Sequence, residues 1–78
     1  MLCKGIQIKS IHSSFNHIFD NESHIKKWCN QIFVTDKTYT VNVITYKKRR
    51  CCGEVYAVKV LKSLTIDEVR RQDLSNYF

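Results

Sequence analysis

Proline is missing from this chain of 78 residues, and glycine occurs only at Gly5 and Gly53. Without a Pro- or Gly-rich stretch there is no linker to divide it, so residues 1–78 read as a single compact domain. Long apolar runs are missing as well: nowhere do about 18 apolar residues follow one another, the length a membrane-crossing helix needs. The opening Met1-Leu2-Cys3-Lys4-Gly5-Ile6-Gln7-Ile8-Lys9 holds no continuous apolar stretch of the signal-peptide kind, which implies a cytoplasmic protein with no membrane partner.

Acidic residues are scarce. Seven Asp and Glu against 13 Lys and Arg give a formal charge of +6, a balance that favours anionic partners such as nucleic acid or an acidic protein surface. Metal-type cysteine spacing is lacking too. None of Cys3, Cys29, Cys51 and Cys52 forms a Cys-x-x-Cys, so neither a structural zinc nor any other cofactor is expected. The adjacent pair bridges only through a strained ring, which favours reduced thiols. A chain this short buries about 60–65% of its unfolded surface and has no room to enclose a large substrate. Its work is expected at the surface.

What is present falls into alternating patterns. Residues 2–11 place Leu2, Ile6 and Ile8 in a rough period of two and predict a strand. Phe15, Ile18 and Phe19 fall at i, i+3 and i+4 behind Ser13 and Ser14 as caps, which predicts a short helix, interrupted by Asp20-Asn21-Glu22-Ser23. Ile25, Trp28, Cys29, Ile32 and Phe33 then share one face of an amphipathic helix over residues 22–33.

After a polar turn at Thr35-Asp36-Lys37, the β-branched and aromatic run from Tyr39 to Tyr46 pairs with Val55 to Leu61 as an antiparallel hairpin. Thr65 and Glu68 have capping-box spacing and open a last helix carrying Ile66, Val69, Leu74 and Tyr77 inward. The expected fold is α+β: a small two-layer domain with about three strands, antiparallel or mixed, helices on one face, and the order β-α(α)-β-β-α.

Between the hairpin strands lies Tyr46-Lys47-Lys48-Arg49-Arg50-Cys51-Cys52-Gly53-Glu54-Val55-Tyr56. Four successive cations at a hairpin tip repel one another but can engage several phosphates, and Tyr46 and Tyr56 at its base are candidates to stack on bases. Lys26, Lys27, Lys59, Lys62, Arg70 and Arg71 extend the patch only if the fold brings them to the same side. The candidate binding residues are therefore Lys47, Lys48, Arg49, Arg50, Tyr46 and Tyr56. Inert exposed thiols are the plain reading of Cys51 and Cys52, with cations nearby that favour the thiolate.

No catalytic constellation can be paired by spacing. His12, His17 and His24 lie near Ser13, Ser14, Asp20 and Glu22, but without a motif they read as surface histidines, and a toxin-like ribonuclease stays a minor alternative. The expected function is non-enzymatic binding of nucleic acid, or of the nucleic-acid-binding surface of a complex. The alternative is a protein inhibitor, of the kind phages and mobile elements encode, that covers an acidic surface of a host or defence complex. Monomer and homodimer are both open.

With both early helical segments formed, the order strand-helix-helix-strand-strand-helix resembles the K-homology RNA-binding domain over most of the chain. That family grips the nucleic-acid backbone with a Gly-x-x-Gly loop between its first two helices. Here the place is taken by Asp20-Asn21-Glu22-Ser23, so the resemblance stops at topology and does not carry function.

Overall fold

The computed structural model describes residues 2–31 and 38–78. Strand β1 (Cys3–Ser10) is followed by β2 (Asn16–Phe19), α1 (Glu22–Gln31), β3 (Tyr39–Lys48), β4 (Val55–Leu64), α2 (Ile66–Arg71) and a 3-10 turn (Ser75–Tyr77). The fold is α+β, with four antiparallel strands in the order β2-β1-β3-β4. Four strands, not three, is the main correction to the sequence reading. No helix among the described residues is long and apolar enough to cross a membrane.

The extra strand comes from the segment expected to be helical. Ser10 Oγ accepts from the His12 backbone N–H at 3.3 Å and Ser13 Oγ from that of Phe15 at 3.2 Å. These serines close local turns instead of capping a helix. The Ser10 N–H donates to the Phe15 carbonyl at 3.0 Å, and β2 returns along β1 with Ile6 opposite Phe19 and Ile8 opposite His17. A helix of five or six residues has too few hydrogen bonds to repay its nucleation, whereas β1 offers an open edge. The K-homology order is lost with that helix.

Side chains directly opposite on neighbouring strands share a face. On one face Ile6, Ile8, Phe19, Val41, Val43 and Leu64 meet Ile25 and Cys29 of α1, Val69 of α2, and Leu74. This is the core, and both helices pack on that side, as the amphipathic pattern predicts. Of the expected α1 face, Ile32 and Phe33 lie outside the described residues, as does the turn at Thr35-Asp36-Lys37. Asn21 caps α1, its Oδ1 accepting from the Ser23 and His24 N–H groups at 2.8 and 3.3 Å.

The capping box at Thr65 forms as expected. The helix it opens is shorter than the spacing implied: Gln72 is extended (φ −87°, ψ 153°), and the Asp73 carboxylate accepts from the Ser75 N–H at 3.0 Å. Leu74 still reaches the core, but from the turn after the helix.

The opposite face has no helix over it, yet Ile44 is fully buried and Tyr46 is 8% exposed. The cause is curvature. On β4 the register slips twice against β3, between Val43 and Ile44 and between Thr45 and Tyr46, and such bulges bend a strand and increase its twist. The sheet coils so that Asn16 and Ile18 of β2 and Val55 and Ala57 of β4 line one cleft, although β1 and β3 separate those strands. In a flat sheet they would stand about 14 Å apart, three strand spacings.

Candidate nucleic-acid interface

The hairpin tip is built by Gly53. Its φ of 71° lies in the left-handed region where glycine is unstrained, and its N–H donates to the Arg49 carbonyl at 2.9 Å while the Arg49 N–H donates to the Glu54 carbonyl at 2.8 Å. Lys47, Lys48, Arg49 and Arg50 are all exposed around this turn. They do not form one surface. Lys47 stands opposite Tyr56 and so belongs to the helix-bearing face, whereas Lys48 stands opposite Val55 on the reverse face.

Arg49 is engaged at both ends. Its Cζ lies 5.3 Å from the centre of the Tyr56 ring, and its Nη1 is 3.9 Å from Glu54 Oε2. Both charged side chains are well exposed, so the ion pair contributes only about 0.2–1 kcal/mol and yields readily to a phosphate. Tyr56 is 40% exposed beneath the guanidinium, so a base stacking on it would compete with Arg49 for that ring. Tyr46 is placed differently. Its ring presses against Gly5 on the reverse face, and burial, followed by Asp20 and Cys3, pushes its phenol pKa up. Little of that ring is open to a base.

The register brings further cations to the tip. Lys4, Thr45 and Lys59 form one row across three strands of the helix-bearing face, with Lys47 and Tyr56 in the next row toward the tip. The helices cover the Ile8–Val41–Leu64 end of this face; the Lys4–Thr45–Lys59 end is exposed or half-exposed. Lys62, opposite Val43, is close enough to Glu68 to help hold that carboxyl below its usual value, behind the larger effect of the Thr65 hydrogen bonds.

One part of this row was legible in sequence. In Ile8-x-Ile6-x-Lys4 and Val41-x-Val43-x-Thr45-x-Lys47 the same period-two face passes from apolar to polar or basic. On β4 the two bulges break the period and hide where Lys59 and Lys62 fall.

Other basic residues turn away from the patch into structural duties. Lys26 Nζ donates to the Gln72 carbonyl at 2.7 Å and pairs with Glu22 at 3.4 Å. Arg70 Nε donates to the Cys29 carbonyl at 3.2 Å, tying α2 to α1. The histidines are separated: His12 sits in the bend after β1, His17 in β2 with its ring 4.5 Å from that of Phe19, and His24 in α1. Among the described residues no three His, Cys, Asp or Glu side chains converge to hold a metal ion. Cys51 and Cys52 are free and exposed at the tip, their Sγ atoms 3.7 Å apart.

Comparison of the chain with known protein families, with characterised proteins and with solved structures returns no match.

Proposed function

We propose that this is a non-enzymatic binding protein that takes the phosphate backbone of a nucleic acid on its hairpin tip and on the uncovered half of the sheet beside it. The observation that carries this reading is the row Lys4–Thr45–Lys59 beside Lys47 and Tyr56, continued by Arg49 and Arg50. Lys4 and Lys59, two strands apart across Thr45, with Lys47 in the next row on the strand between them, give a strip along which phosphates can be neutralised, each releasing bound counterions. Tyr56, with Arg49 above it, adds a flat contact for a sugar or base.

The test is fluorescence anisotropy of labelled single-stranded RNA and duplex DNA over a salt series. The variant combines Lys47→Ala, Lys48→Ala, Arg49→Ala and Arg50→Ala, with folding checked by circular dichroism. Four phosphate contacts predict that affinity falls by about two decades between 50 and 200 mM salt, and that the log-log slope shrinks by about three to four in the variant. Absence of binding at low salt would overturn the proposal.

A second reading is favoured by β4. It is the last strand of the sheet, and Val55, Tyr56, Val58, Val60 and Leu61 are all exposed on it. An unpaired edge with apolar side chains suits strand addition by a protein, and the adjacent cations suit an acidic one. In this reading the protein is an inhibitor that covers an acidic surface of a larger complex. It would bind one protein tightly and ignore free oligonucleotides.

A further inference from the structure

The helix-free face carries a feature that phosphate binding does not use: the cleft between β2 and β4, of ≈ 320 Å³. Ligand sites run from about 300 to 1,000 Å³, so this one has room for a nucleoside-sized group and little more. Its walls are Ile18 from β2 and Val55 and Ala57 from β4, and Gln7 lies between them on β1. Gln7 is 6% exposed, and its Nε2 donates to Asn16 Oδ1 at 3.2 Å. That bond uses one donor of Gln7 and one acceptor of Asn16. It leaves the pair an acceptor, Gln7 Oε1, and a donor, the Asn16 amide.

An acceptor beside a donor is what the Watson–Crick edge of a nucleobase answers, since every base carries the two side by side. The lining is more polar than apolar, and within it Ile18, Val55 and Ala57 supply apolar surface for a base's flat faces, as recognition of unstacked bases requires. Charge around the cleft is mixed: Glu54, the ion-pair partner of Arg49, lines it, and two lysines stand beside its lining residues. Lys9 is the register partner of Asn16 in one wall, and Lys48 is the register partner of Val55 in the other. Both lysines are exposed, and by strand register each belongs to the face that carries the cleft, within side-chain reach of phosphates flanking an inserted base. Lys48, on the opposite face from Lys47, thereby has a role.

We propose that this cleft receives one unstacked nucleobase, which makes the ligand single-stranded nucleic acid; the inference rests on the phosphate-binding reading above. A duplex keeps its bases paired and stacked and can offer the tip only its backbone.

The test combines one variant with one spectroscopic readout. Ala57→Phe fills the cleft without altering a charge, and an aromatic residue is at home on an edge strand. Wild type and variant are titrated with labelled single-stranded oligonucleotides and with a duplex over a salt series. The side-chain amide NMR signals of Gln7 and Asn16 are followed during titration with the four nucleoside 5′-monophosphates.

The expected result is that wild type prefers single strands over duplex by about tenfold, the worth of one ordered base. Ala57→Phe abolishes the preference but keeps the salt slope, and the Gln7 and Asn16 amides shift with mononucleotide. Equal behaviour of wild type and variant with unmoved amide signals would overturn the inference while leaving phosphate binding in place. If no oligonucleotide binds at any salt, the phosphate-binding reading fails. The single-stranded ligand proposed for the cleft fails with it, and shifted amides would then mark the cleft as a site for a free nucleotide instead.

Discussion

The ring of Tyr46 lies against Gly5 on the reverse face of the sheet, so closely that a Cβ at position 5 would stand 2.9 Å from Tyr46 Cε1 and 2.6 Å from the Phe19 carbonyl oxygen. Neither contact is tolerable, and the second is with backbone. Gly5 thus lets the β2 backbone at Phe19 and the Tyr46 ring of β3 close on β1. Gly5→Ala is expected to cost about 1–3 kcal/mol, the usual penalty of overpacking. Urea denaturation followed by circular dichroism measures it, and an unchanged midpoint would mean that β2 moves aside freely.

The start of α2 depends on a reciprocal pair. The Glu68 N–H donates to Thr65 Oγ1 at 3.1 Å, and the Thr65 N–H donates to Glu68 Oε1 at 3.2 Å. Thr65→Ala is expected to lose about 0.5–2 kcal/mol. The same bonds hold the Glu68 carboxyl below its ordinary value of 4.5. A group with a depressed folded pKa binds fewer protons when folded, so its stabilising effect is present above about pH 4.5 and is lost as pH falls through the folded value. Thermal melts from pH 6 to pH 3 should therefore converge at the acid end for wild type and a Glu68→Gln variant, whereas Thr65→Ala keeps its deficit throughout.

Cys29 behaves in the opposite sense. Burial pushes its thiol up from 9.0 to about 11, with Arg70 opposing weakly. The unfolded thiol ionises first, so stability from this residue is present below pH 9 and lost between pH 9 and about 11. In native protein at neutral pH, iodoacetamide should label Cys51 and Cys52, both exposed, and spare Cys29. Mass spectrometry after brief labelling reads this out; modification of Cys29 at the same rate would show that α1 opens readily.

Glu54 pairs with the Arg49 guanidinium at 3.9 Å. Glu54→Gln removes that competitor, so affinity for a nucleic acid should rise a few-fold and the salt slope should steepen by up to about one. Anisotropy titrations at two salt concentrations are enough to measure it. Unchanged affinity would show that Arg49 stays on Tyr56 and does not contact phosphate.

Much of the architecture was written in the sequence. The period-two runs of β1 and β3, the 3.6-period face of α1, the capping box at Thr65 and the glycine of the hairpin turn each show in a pattern of a few consecutive residues, and each formed. What the sequence did not reveal depended on which segment became whose neighbour. Residues 16–19 fit a helix or a strand equally well by their own pattern; the free edge of β1 and the turn-forming serines decided for a strand. The cationic run looked like one patch because it is contiguous. Strand alternation splits it, sending Lys47 to one face and Lys48 to the other, while pairing with β1 and β4 brings in Lys4 and Lys59 from far along the chain. The cleft was the least visible of all, since it arises from the coiling of a bulged sheet that brings β2 and β4 to one cavity, and no local sequence period encodes that curvature.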